Sequence, residues 1–233
     1  SSSSLCLMRS RFFDLARSKS SKAARSTPIT EQVSYQGTEH VIAIGASTGG
    51  TEAIRVVLES LPVGMPGIVM TQHMPPGFTT SYAARLDRLS RLRVQEVKGG
   101  ERILPGHAYL APGDKHLLVE RYGADLVCKL SDAEPVNRHK PAVDVMFDSV
   151  AHTCGASATG VLLTGMGKDG GQGMLTMQQH GALTIAQDEA SCVVFGMPKE
   201  AIRLGGVAEV LPLDEVAARL VSHLKQVGRG NRV

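Results

Sequence analysis

Short apolar runs, each ending in glycine or a polar loop and separated by stretches with helical periodicity, constrain this chain more than any other feature. Val41-Ile42-Ala43-Ile44 runs into Gly45, and Gly67–Met70, Gly160–Thr164 and Leu183–Ala186 are further runs of the same kind. Runs this short, with no polar alternation, read as strands covered on both faces. Thr51–Leu61 places Ala53, Ile54, Val57, Leu58 and Leu61 on one helical face. Helices are also expected over Thr79–Leu89, Ala142–His152, Met174–Gln179 and Met197–Leu204. A last helix, capped by Asp214, would carry Val216, Leu220, Leu224 and Val227 along one side. Val94–Val97, Ala108–Ala111 and Val207–Leu211 add strands, and Leu117–Glu120 with Leu126–Leu130 flank Tyr-Gly-Ala-Asp as a hairpin. Strands alternating with helices imply an α/β fold: a doubly wound, mostly parallel, Rossmann-like sheet of about seven strands with an added β-hairpin.

Residues 1–40 do not share this pattern. They are rich in Ser, Lys, Ala and Arg, and residues 1–26 hold six basic side chains against Asp14 alone. The formal charge of +3 therefore belongs to this segment, and the body is slightly acidic. Leu5, Met8, Phe12, Leu15 and Ala16 fall near helical spacing, so the segment reads as a linker or tail with a transient amphipathic helix, or alternatively as a basic helix for a membrane surface or partner. The expected organisation is a basic linker over 1–40, a folded domain over 41–228 and a short tail over 229–233. A folded part without net positive charge argues against nucleic acid as a partner. No apolar run approaches the roughly 20 residues that cross a bilayer, so no membrane insertion is expected. Cys6, Cys128, Cys154 and Cys192 are scattered without a paired spacing, which suits a reducing cytoplasm and speaks against a disulfide framework or a zinc centre.

In doubly wound sheets, sites form beyond the carboxyl ends of the strands. There the chain places Gly45-Ala46-Ser47-Thr48-Gly49-Gly50, then Thr71-Gln72-His73-Met74-Pro75-Pro76, then Gly165-Met166-Gly167-Lys168-Asp169-Gly170. Ser47 lies in a G-x-S-x-G turn between strand and helix, where small neighbours allow a sharp bend and helix N–H groups face outward. That turn serves either a nucleophile with an oxyanion or a bound phosphate. A dinucleotide site would want an acid at the end of the second strand, and Met70-Thr71-Gln72-His73 supplies none. Alone, His73 is as ordinary as the seven other histidines, and Asp169 before Gly170 reads as a turn residue. Their arrival at one rim from separate loops is what a nucleophile, a base and a group orienting the base require.

Ile44–Gly50, Thr71–Phe78 and Leu163–Gly170 together resemble the CheB-type chemoreceptor methylesterases, the protein-glutamate methylesterase/glutamine deamidase family. Leu104–Tyr109, Ala111–His116, Pro135–His139 and Glu189–Pro198 match as well, so the resemblance covers most of 41–211. It implies Ser47 as nucleophile, His73 as general base and Asp169 as the group orienting His73, with backbone N–H groups at Thr48 and Met166 holding the oxyanion. The implied reaction demethylates glutamyl γ-methyl esters on the cytoplasmic helical bundle of a chemoreceptor, with glutamine deamidation as a second reaction open to the same route, and with no cofactor and no metal. Many members of that family also carry an N-terminal receiver domain, which needs roughly 100 residues and would not fit in residues 1–40; two readings stay open, a receiver domain ahead of residue 1 in a longer parent chain with 1–40 as its linker, or a stand-alone enzyme. Arg138, His139 and Lys140 read as a solvated charged loop, or alternatively as a contact for an acidic receptor helix.

Overall fold

The computed structural model describes residues 40–230. The basic N-terminal segment and its expected helix lie outside the described residues. Nine strands and six α-helices follow in the order β1 (Val41–Ala46), α1 (Gly50–Ser60), β2 (Gly67–Gln72), α2 (Thr79–Leu89), β3 (Arg93–Glu96), β4 (His107–Leu110), β5 (His116–Tyr122), β6 (Asp125–Ser131), α3 (Val143–Cys154), β7 (Ala158–Leu162), α4 (Gly171–Gln179), β8 (Leu183–Gln187), α5 (Met197–Arg203), β9 (Glu209–Leu211) and α6 (Leu213–Gly230). Seven strands form one parallel sheet in the order β3-β4-β2-β1-β7-β8-β9, while β5 and β6 pair separately as an antiparallel hairpin.

Alternation along β1 divides the core in two. Ile42, Ile44 and Ala46 face α1, α2 and α6, where Ile54, Val57, Leu58, Leu86, Val216 and Leu220 pack. Val41 and Ala43 face α3, α4 and the hairpin, among Val143, Phe147, Met174, Leu117 and Val119. Each large aliphatic side chain so buried contributes about 1.5–3 kcal/mol relative to exposure. A strand covered on both faces must be apolar at every position, which is why the run at Val41 carries no polar residue.

The chain builds to one side of β1 through β2 and β4, then returns to lay β7 on the other side. The direction of winding thus reverses between β1 and β7, the kind of switch point beyond whose strand ends open α/β sheets place their sites. Several boundaries differ from the sequence pattern for local reasons. β7 leaves its ladder before Thr164, because the Thr164 N–H turns to the Gln187 side chain. α4 begins at Gly171 because Gly170 adopts φ 88°, a left-handed conformation open to glycine. α6 starts at Leu213, so Asp214 lies within the first turn instead of capping it, where its charge still favours the helix dipole.

Candidate active site

Ser47 is clamped through its backbone. Its N–H donates to Thr164 O at 3.0 Å, and its carbonyl accepts from Gly50 N at 2.7 Å and from Gln72 Nε2 at 2.9 Å. Gly49 completes the turn at φ 81°, and a β-carbon there would stand 2.6 Å from Val193. Ala46 and Gln72 are register partners on β1 and β2, and His73 N donates to Ala46 O at 3.1 Å. Ser47 and His73 are therefore the next residues past the ends of two adjacent, hydrogen-bonded strands. They do not sit at opposite edges of the sheet.

Asp169 is fully buried and accepts four hydrogen bonds. Oδ2 takes His73 Nε2–H at 2.7 Å and Val143 N–H at 2.6 Å; Oδ1 takes Asn137 Nδ2–H and Asp144 N–H, each at 3.1 Å. Burial pushes this carboxyl up, but the bonds from His73, Val143, Asp144 and Asn137 outweigh it and hold the group below the ordinary 3.8. An ionised carboxylate only accepts, so it fixes the hydrogen of His73 on Nε2 and leaves the lone pair on Nδ1. Nδ1 is buried and has no hydrogen-bond partner among the described residues.

His139 lies parallel to His73, with ring centroids 3.7 Å apart and planes 6° apart. Burial, then the nearness of His73, lowers the His139 pKa below 6.5. His73, His139 and Asp169 bring ligand-type atoms within 4.8 Å of one another. Two parallel stacked imidazoles send their in-plane lone pairs side by side and not toward a common point, so the trio is poorly arranged for a shared cation. The Thr48 and Met166 N–H groups donate to no acceptor among the described residues. The loop bearing Met166 is stitched in place: Thr164 Oγ1 donates to Thr48 O, Gly165 N to Val194 O, and Gly196 N and Met197 N to Gly165 O.

Two side chains, Asn137 and Asp144, had no role in the sequence pattern. Asn137 and Arg138 occupy a two-residue hairpin turn at φ 52° and 67°, closed by paired bonds between Val136 and His139. That turn sends Asn137 to Asp169 and His139 to His73, so the segment read as a charged loop is partly built into the site. Asp144 accepts from Asn137 Nδ2 and from Gly173 N, each at 2.7 Å. Burial raises its pKa to about 6, with the Gly173 N–H opposing and the Asp169 charge adding to the rise.

The family profile described as CheB methylesterase matches residues 42–220. The chain belongs to the CheB methylesterase family. A protein-glutamate methylesterase/protein-glutamine glutaminase of Nitrosomonas europaea is 58% identical over 211 residues, covering 90% of this chain and 59% of the relative. One of the same description from Salmonella typhimurium is 60% identical over 186 residues, covering 80% of this chain and 53% of the relative. The CheB methylesterase catalytic domain of Thermotoga maritima superposes with a TM-score of 0.78 at 39% identity, covering 80% of this chain and all of that one. This CheB-family chain thus spans little more than half the length of the curated relatives it matches. Among its described residues, no helix is long and apolar enough to cross a membrane.

Proposed function

We propose that this chain hydrolyses glutamyl γ-methyl esters on the cytoplasmic helical bundle of a chemoreceptor, releasing methanol, and that it deamidates glutamine by the same route. The observation that carries this reading is the ring orientation of His73: Nε2 is given to a buried carboxylate and Nδ1 is left as a base, one residue past a strand end adjacent to that of Ser47.

The chemistry follows from the side chains. Nδ1 of His73 takes the Ser47 proton as Oγ attacks the ester carbonyl. Asp169 stabilises the imidazolium that forms and keeps its hydrogen on Nε2. The oxyanion falls to the N–H groups of Thr48 and Met166, each such donor lowering the barrier by about 3 kcal/mol. His73 then protonates the departing methoxide, and the same base activates water to release glutamate from the acyl-enzyme. A carboxamide follows the identical path with ammonia as the leaving group. The exposed Met166 and Val193 side chains border the Ser47 turn and supply apolar surface suited to one face of a helix.

The test is methanol release from methylated receptor membranes by the purified chain and its Ser47→Ala variant. Ser47→Ala is expected to reduce turnover by on the order of 10⁴-fold or more with an unchanged circular dichroism spectrum. Near-normal turnover by that variant removes the nucleophile and the proposed mechanism with it.

A further inference from the structure

Asn137 does more than close a turn. Its amide nitrogen reaches Asp144 Oδ2 at 2.7 Å and Asp169 Oδ1 at 3.1 Å, so one NH₂ group donates to two different buried carboxylates. Those carboxylates belong to a closed arrangement. Asp169 accepts the first two N–H groups of α3, and Asp144, from the first turn of α3, accepts the N–H of Gly173 in the first turn of α4. Each acid caps a helix that its own element does not contain, and Asn137 is the neutral donor between them. The left-handed φ of 52° that aims this side chain inward is one asparagine accepts more readily than most residues.

We infer that Asn137 is a positioning residue for hydrolysis: it keeps Asp169 ionised beside Asp144 and so holds His73 with its basic nitrogen toward the ester. The inference rests on the Ser47–His73–Asp169 reading above. Without the amide, two buried carboxylates face each other with no donor between them, and such a pair takes up a shared proton. A proton on Asp169 removes the acceptor for His73 Nε2–H, and the imidazole loses its fixed tautomer. The groups that face the pair are His73, stacked on His139, from the β2 side and the turn; Asp148, one turn along α3; and the Val143, Asp144 and Gly173 N–H groups. No lysine or arginine is hydrogen-bonded to either acid among the described residues, so Asn137 is the side-chain donor that both share.

The experiment compares Asn137→Gly and Asn137→Asp with wild type in methanol release from methylated receptor membranes between pH 6 and 8. Glycine keeps the left-handed turn and deletes the amide. It is expected to lower kcat by on the order of 10-fold to 100-fold, as misplacement of a reacting group does, with KM within about twofold. Aspartate keeps the shape but adds a third acid, which serves as a donor only when protonated. The ratio of Asn137→Asp to wild-type activity should therefore rise as pH falls, while the ratio for Asn137→Gly should fall, because the unbridged pair takes up its shared proton more fully there. Wild-type kcat in Asn137→Gly, level ratios for both variants, or losses that only track the folded fraction by circular dichroism would overturn the inference. Ser47→Ala runs alongside. If it stays active, the underlying reading fails; if it is inactive while the Asn137 variants are normal, only the positioning role fails.

Discussion

The His139 ring lies flat on His73, centroids 3.7 Å apart and planes 6° apart, so the base is held from its edge by Asp169 and from its face by a second imidazole. Burial and the nearness of His73 lower the His139 pKa, which favours a neutral stacking surface over a second cation. The face contact limits tilting of His73 about its bond to Asp169. His139→Phe retains a flat ring and should keep kcat within about threefold of wild type, whereas His139→Ala opens the face and should lower kcat by about 10-fold with little change in KM. Steady-state methanol release distinguishes them; equal activity in both variants rules out a role for the stack.

The elements that place this site are legible because they repeat one physical demand. Val41–Ile44 has to be apolar throughout since both faces are covered, and Ser47 and His73 follow strands whose burial pattern is equally plain. Asn137 and Asp144 leave no such trace. A single amide bonding to an acid 32 residues away has no period, and a hairpin turn written Asn137-Arg138 lacks the glycine that usually marks one. Gln72 and Gln187 were hidden for another reason. Each is a polar residue at the end of a buried strand, and only the fold shows that Gln72 braces the Ser47 carbonyl and Gln187 the Thr164 N–H. Asp214 misled because an acid at a helix start serves the dipole from the first turn as well as from the cap.

Asp169 also has a structural task that His73 lacks. Its carboxylate accepts two N–H groups at the start of α3, in place of a local cap. Asp169→Asn offers one oxygen where two are used, and turns an NH₂ toward donors. It should lose about 1–3 kcal/mol of stability, or about 2–12 °C in Tm at this chain length, as well as activity. His73→Ala should abolish activity with a smaller fall in Tm. Thermal unfolding of the two variants side by side measures the difference, and equal Tm values would remove the capping role.

Gly196 controls the loop that carries Met166. A β-carbon there would stand 2.8 Å from Gly165 O, 3.0 Å from Gly167 N and 3.2 Å from Met166 Cα. All three neighbours are backbone, so the strain must move the loop. Gly196→Ala should displace the Met166 N–H and lower kcat by on the order of 10–100-fold, the range for a weakened oxyanion donor. Gly228→Ala, where an added β-carbon meets nothing, is the control and should retain full activity. An unchanged kcat in Gly196→Ala would show that this loop does not bear on the reaction.

Stability toward acid depends on two buried groups of opposite sign. Burial, and then the nearness of His223, lowers the His40 pKa to about 4 from an ordinary 6.5. Between those values the unfolded chain binds a proton that the native state refuses, so stability falls as pH drops, by roughly 3 kcal/mol in all. Asp144 works the other way. Its pKa is about 6 in the native state against 3.8 ordinarily, so the native state binds the extra proton and gains stability as pH falls across that window. These two contributions should therefore largely offset each other between pH 6.5 and 4. His40 Nε2 pairs with Thr159 Oγ1 at 3.0 Å, and His40→Gln preserves a hydrogen-bonding side chain there without a titrating ring. With His40 silenced, its share of the acid penalty is gone, and urea unfolding of His40→Gln should show stability rising from pH 7 to pH 5 relative to wild type. Parallel curves for the two proteins over that range would mean that His40 does not enter the native state uncharged.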